Sequence, residues 1–188
     1  MQPMTILTTT LEQCGNKNHY LFSLEDFLVL FPDFTVENLR MLLSRGVQKG
    51  ILERVCKGIY LYPKAAYDPS LMLFAVAVKL RCDHFNYVSF ETVLSHCGLI
   101  SQIPFGWIVV MTRGRRGIIN CGRFGSVEFI HTQSVSDKKL SQLYLDSVTG
   151  MWWASPQVAF QDMKKARRPL DLVDQEALSL SFCKEASE

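Results

Sequence analysis

Apolar residues recur along the chain with two different rhythms, and the change between them predicts its elements. A weak helical spacing over residues 4–14 ends in the turn cluster Gly15-Asn16-Lys17-Asn18. Ser23, followed three residues later by Asp26, reads as a capping-box variant opening a second helix. Leu24, Phe27, Leu28 and Phe31 continue it at helical spacing, and Pro32 with Asp33 closes it. Thr35 is the expected N-cap of a third helix from Val36 to about Lys49, with Gly50 as its C-terminal stop. The runs 51–55 and 59–62 are β-prone and joined by Cys56-Lys57-Gly58, where Gly58 can take a positive φ; Pro63 ends this hairpin.

Helices followed directly by a hairpin is the order of a winged helix-turn-helix. The expected fold class is therefore α+β, with a winged helix-turn-helix domain over residues 1–64 and an α+β domain over 65–188. The texture changes at Lys64–Ser70, which is the expected boundary. Beyond it, Leu71–Leu80 is an apolar helix, Tyr87–Ser89 is extended, and Ser89 is expected to cap a helix that runs to Cys97 and stops at Gly98. Trp107–Thr112 and Ser126–Thr132 read as strands flanking a Gly/Arg-rich hairpin. Ser155-Pro156 opens a final helix through Ala166, Pro169 interrupts it, and the tail after Leu180 is expected to fray.

The third helix carries the candidate chemistry. Val36, Leu39, Leu42, Leu43 and Val47 share one side and should pack inward. Glu37, Asn38, Met41, Ser44, Arg45 and Gln48 form a continuous opposite face, polar apart from Met41. Asn and Gln can pair bidentately with adenine, Arg with guanine, and Ser with either. Arg40 and Lys49 flank that face where phosphates would lie, Thr35 stands at the helix entry, and Arg54 and Lys57 extend the basic character into the hairpin.

Composition changes the picture only when charge is localised. The chain of 188 residues is 48% hydrophobic and 20% charged, with a formal charge of +2, which excludes wholesale disorder but does not announce a polyanionic partner. Residues 1–34 hold Lys17 against Glu12, Glu25, Asp26 and Asp33, whereas residues 35–64 hold Arg40, Arg45, Lys49, Arg54, Lys57 and Lys64 against Glu37 and Glu53. The reading helix and hairpin are thus the positive part of an otherwise acidic module, which points to double-stranded DNA. Six scattered cysteines without a C-x-x-C pair, an opening segment without basic and apolar runs, and no apolar stretch of about 18 residues predict a cytoplasmic chain with reduced thiols and no membrane partner.

Other clusters are weaker. Arg113, Arg115, Arg116 and Arg123 lie among glycines and form a second basic site for nucleic acid or nucleotide, weighed against a plain exposed turn. Lys164, Lys165, Arg167 and Arg168 suit a helix C-terminus. Cys82/His84 and His96/Cys97 have poor spacing for a shared metal, and Asp83, Glu91 and Glu128 are too dispersed for a metal-dependent nuclease. Trp152-Trp153 reads as packing. No phosphate-binding loop, G-x-S-x-G or H-E-x-x-H is present, so no catalytic residue, metal or cofactor is expected and the protein is read as a non-enzyme.

The string Asn38-Leu39-x-x-Leu42-Leu43-Ser44-Arg45-Gly46-Val47-x-Lys49-Gly50-Ile51-Leu52-x-Arg54-Val55-x-x-Gly58-Ile59-Tyr60 resembles the N-terminal winged helix of the AbiEi antitoxins of bacterial type IV toxin–antitoxin and abortive-infection systems. Residues 88–100 are similar to the Ser-x-x-Ser-Ala-Leu-x-x-x-Gly-Leu helix of their C-terminal domain, with Thr92 and Val93 in place of Ser-Ala. The strand ending in Thr112, the segment Val127–His131, and Ala154-Ser155-Pro156-Gln157-x-Ala159-x-x-Asp162 continue the likeness over about residues 20–165. The resemblance implies a transcriptional autorepressor that binds a promoter inverted repeat as two copies, and an antitoxin domain that counteracts a nucleotidyltransferase-type toxin without a stable complex. Alternatives are a C-terminal enzyme or nucleotide/RNA-binding unit with the winged helix in a secondary role, a stand-alone transcriptional regulator, and a winged helix that binds protein.

Overall fold

The computed structural model describes residues 2–100, 105–133 and 135–179. The expected fraying after Leu180 lies outside them. The fold is α+β, and the chain divides after Leu80 into two compact units.

The first unit runs α1 (Pro3–Cys14), β1 (Leu21–Ser23), α2 (Leu24–Leu30), α3 (Val36–Gln48), β2 (Glu53–Cys56), β3 (Ile59–Leu61) and α4 (Met72–Leu80). The three strands form one antiparallel sheet in the order β1-β3-β2. Leu7 and Leu11 of α1, Phe27 of α2, Leu39 and Leu43 of α3, and Leu52 are wholly or almost wholly buried and make one apolar cluster with Phe22, Phe31 and Tyr60. Strand β1 escapes sequence reading because all three of its residues are buried, leaving no in–out alternation.

The local signals act as their chemistry dictates. Ser23 Oγ accepts from the Asp26 N–H at 3.1 Å while Asp26 Oδ2 accepts from the Ser23 N–H at 2.7 Å, a complete capping box. Thr35 Oγ1 accepts from the Asn38 N–H at 3.2 Å. Helix α3 ends in a Schellman motif: the N–H groups of Gly50 and Ile51 donate to the carbonyls of Val47 and Gly46, and Gly50 takes φ +68°.

Helix α4 falls on the other side of the expected boundary. It packs on β1 and β3, and Lys79 Nζ donates to Asp26 Oδ2 at 2.7 Å. Because its ion pair and neighbours belong to the first unit, the division lies after Leu80 and not within 64–70.

The second unit is built on a six-stranded mixed sheet in the order β6-β7-β5-β4-β9-β8. Its elements are β4 (Asn86–Val88), α5 (Phe90–His96), β5 (Trp107–Thr112), β6 (Gly117–Asn120), β7 (Ser126–His131), α6 (Asp137–Leu140), β8 (Leu143–Asp146), β9 (Met151–Ala154) and α7 (Pro156–Lys165). β5 and β7 run parallel, as do β4 and β9, while β6/β7, β5/β4 and β9/β8 are antiparallel. The expected Gly/Arg-rich hairpin between the two strands is not formed: that stretch supplies a single strand, β6, which pairs with β7, and Arg113–Arg116 are the connection from β5. The β8–β9 hairpin is not among the expected elements; at its turn Asp146 Oδ2 accepts from the Thr149 N–H and hydroxyl, and Gly150 takes φ +67°.

A buried polar knot ties this unit together. Asp162 of α7, 3% exposed, accepts from Ser89 Oγ at 2.9 Å, Tyr87 OH at 3.1 Å and Lys139 Nζ at 2.6 Å. Ser89 therefore stands at the N-cap of α5 without capping it, its side chain turned to donate to Asp162. Burial first, then the Asp162 charge and hydrogen bond, push the Tyr87 phenol far above its ordinary range, so it stays a donor.

Two stability outcomes follow. Burial raises the Asp26 carboxyl, but hydrogen bonds from Lys79 and Ser23 outweigh it and hold the group below its usual value. Its folded pKa is depressed, so its contribution is complete above about pH 4 and is lost as pH falls through the folded value. Asp26→Ala should cost about 1–2 kcal/mol at pH 7, mostly through the lost cap because solvent screens the Lys79 pair. In urea melts, the gap from wild type should narrow as pH drops below about 4. Asp162→Asn leaves Lys139 without its counter-charge and should cost about 3–5 kcal/mol in the same assay.

Candidate nucleic-acid interface

Helix α3 has two unlike sides. Leu39, Leu42, Leu43 and Gly46 are buried, with Val36 and Val47 half-buried at the margins of that side. Gly46 is what lets α1 approach: a methyl there would lie 3.1 Å from Leu7 Cδ2. Glu37, Asn38, Ser44, Arg45 and Gln48 are exposed, and Met41 at the centre of that face is 52% exposed, a large apolar side chain left in water.

The side chains of Asn38, Ser44, Arg45 and Gln48 have no hydrogen-bond or ion-pair partner among the described residues. Their donors and acceptors are therefore unspent. By helical geometry Arg40 and Ser44 lie on the edge nearer the hairpin, and Asn38, Arg45 and Lys49 on the opposite edge. Thr35 is exposed at the helix entry, its hydroxyl oxygen engaged in the cap.

The hairpin is fastened beside this face. Gly58 takes φ +82° at the β2–β3 turn, and its carbonyl accepts from the Leu24 N–H at 2.9 Å, pinning the turn to the start of α2. An open cleft of about 680 Å³ results, lined by Arg40, Ser44 and Gln48 of α3, by Arg54, Lys57 and Tyr60 of the hairpin, and by Leu24 and Glu25. The structure thus brings Arg40, Ser44, Gln48, Arg54 and Lys57 to one cleft, with Asn38, Met41 and Arg45 on the adjoining exposed surface. Leu24, Glu25, Gly58 and Tyr60 were not expected at the site; from sequence Leu24 was read as a helix position and Gly58 as the turn glycine.

Charge segregation comes from pairing. Glu12 faces Lys64 at 3.9 Å and Asp26 binds Lys79. Arg40, Arg45, Lys49 and Lys57 make no ion pair among the described residues, while Arg54 Nε donates to the Cys56 carbonyl at 3.4 Å. Glu12 and Asp26 thus pair away from α3, while Glu37 stands on its exposed face and Glu25 at the cleft.

In the second unit, Arg113, Arg115 and Arg116 line one cleft with His84 and His131. Arg123 is separated from them by the length of β6 and lies over the Phe124 ring, 4.3 Å from its centroid. Arg168, assigned from sequence to a helix end, instead pairs with Glu128 and lies 4.0 Å from Glu91, gathering two carboxylates that are far apart in sequence. Trp153 is buried and contacts the His96 ring, while Trp152 is 40% exposed. Cys82 and Cys97 are exposed thiols. Among the described residues no three His, Cys, Asp or Glu side chains gather as a metal would require, and no helix is long and apolar enough to cross a membrane.

No known protein-family model matches the chain, and no curated protein matches it.

Proposed function

We propose that the protein is a sequence-specific, duplex-DNA-binding transcriptional regulator of the bacterial cytoplasm. One observation carries this reading: an exposed α3 face of unspent amide, hydroxyl and guanidinium groups stands beside a cationic hairpin, and its charges lack acid partners. The order α1-β1-α2-α3-β2-β3, with the sheet order β1-β3-β2, supports reading the first unit as a winged helix-turn-helix. In that reading α3 enters the major groove. Asn38, Met41, Ser44, Arg45 and Gln48 meet base edges, and Arg40, Lys49, Arg54 and Lys57 meet phosphates. The helix entry at Thr35 adds the positive end of the dipole, which favours a phosphate.

The likeness of residues 38–60 and 88–100 to AbiEi antitoxins supports the finer proposal. The regulator represses its own promoter through an inverted repeat, two copies acting on the DNA. Its second unit counteracts a nucleotidyltransferase-type toxin without a stable complex. It is not itself an enzyme. A nucleotidyltransferase gene beside its own would be the expected genomic neighbour.

Selection from a randomised duplex pool, followed by fluorescence anisotropy on the enriched sequence, tests the DNA reading. Arg45→Ala should weaken binding by about 1–3 kcal/mol and relax preference at one base position. Lys57→Ala should weaken every sequence about alike and reduce the salt slope by about one unit. Recovery of no consensus, or affinity indifferent to both salt and Arg45, would remove the proposal.

A further inference from the structure

The connection from β5 to β6 builds a second cationic cleft, confined to the second unit. Arg113, Arg115 and Arg116 stand around an open hollow of about 740 Å³ whose other walls are His84, Gly114, Ile130 and His131. All three arginines are exposed, and among the described residues none of their side chains has an acid or hydrogen-bond partner. No carboxylate lines the hollow. The acid nearest in sequence, Asp83, faces His84 with Oδ2 3.6 Å from Nε2.

The backbone beneath those arginines is tied at four points. The Arg113 N–H donates to the Phe85 carbonyl at 3.2 Å, and the Gly114 N–H donates to Thr112 Oγ1 at 2.9 Å. Arg81 Nη2 donates to the Arg115 carbonyl at 3.3 Å. His131 Nδ1 lies 2.8 Å from the Gly114 carbonyl. A carbonyl can only accept, so His131 donates from Nδ1 and Nε2 is the nitrogen left for another partner. The parallel register that pairs Thr112 with His131 is what brings this imidazole to the arginines. Gly114 is buried, and a methyl there would collide with the His84 ring and come within 3.1 Å of Arg81 Cδ. The loop is held at these points, and its guanidinium arms are uncommitted.

Three unpaired guanidiniums within four residues form a compact positive charge around an open, shallow hollow. A duplex backbone presents single charges spaced along each strand. A polyphosphate chain concentrates its charge in one short segment, and forked guanidiniums bind such oxygens bidentately. Ile130 and the imidazole rings add apolar surface beside that charge. We infer that the β5–β6 cleft is a binding site for the polyphosphate chain of a nucleotide. This site is independent of the α3 surface, so either reading can fail without the other.

The test uses the full-length protein in phosphate-free buffer, titrated calorimetrically with inorganic tripolyphosphate and with ATP. Wild type should bind both, and ATP more tightly than tripolyphosphate if the base rests on the apolar wall. The Arg115→Ala/Arg116→Ala double variant should lose at least tenfold in affinity for each, with an unchanged far-UV circular dichroism spectrum. Arg123→Ala, beyond the cleft, should match wild type. Absence of tripolyphosphate and ATP binding to wild type overturns the site, and that titration needs no variant to fold. Equal losses from Arg123→Ala would reduce it to diffuse surface charge and also overturn it. Duplex affinity is measured in parallel: loss of it in the double variant, with no tripolyphosphate binding by wild type, would reassign the cleft to DNA.

Discussion

The first unit depends on the two-sidedness of one helix. Leu39, Leu42 and Leu43 enter the core with Leu7, Leu11 and Leu52, and Gly46 permits the close approach of Leu7. Burying these groups stabilises the unit by about 1.5–3 kcal/mol for each full-sized side chain. The same burial fixes the rotation of α3, because turning it would drive Arg45 or Gln48 into hydrocarbon at a prohibitive desolvation cost. Presentation of the polar face is thus a consequence of apolar packing. The capping box, the Thr35 cap and the Schellman turn then set where the helix begins and stops, and so which polar residues fall on its exposed side.

The second unit solves a different problem with a different device. Its sheet mixes parallel and antiparallel neighbours, so helices α5 and α7 must be held in place by something more directional than apolar contact. Asp162 supplies that direction by accepting from β4, from the residue before α5, and from α6 at once. A buried carboxylate is tolerable only because three donors meet it. One of them, Lys139, also lies 5.0 Å from the Tyr87 ring centroid, so the same charge contacts two members of the knot.

Local chemistry was legible in the sequence wherever a short motif decides the conformation. Ser23/Asp26, Thr35, Gly50, Gly58 and Ser155-Pro156 all act at the positions their spacing indicates. The exposed α3 face was equally legible, since a 3.6-residue period separates its two sides without tertiary information. What stayed hidden was long-range pairing. β1 is three buried residues with no alternation to read. Ser89 looked like a helix cap until Asp162, 73 residues away, claimed its hydroxyl. His131 reaches the arginine cleft only through the pairing of β5 with β7 and His84 through that of β4 with β5, and Arg123 leaves it because a strand intervenes. The attachment of α4 to the first unit, by packing on β1 and β3 and by Lys79 reaching Asp26 across 53 residues, is something no composition shift at 64–70 could reveal.

Among the described residues, strand β6 is the outermost strand of its sheet and bonds to β7 alone. Changes in length between Arg116 and Gly117, past the contacts that fix Arg113, Gly114 and Arg115, would therefore displace an edge, leaving the register of the five strands behind it intact. The arginine loop is thus fixed at its start and free at its end. A chain with extra residues at that join would keep the same framework, so a difference in length there says little about divergence of the fold.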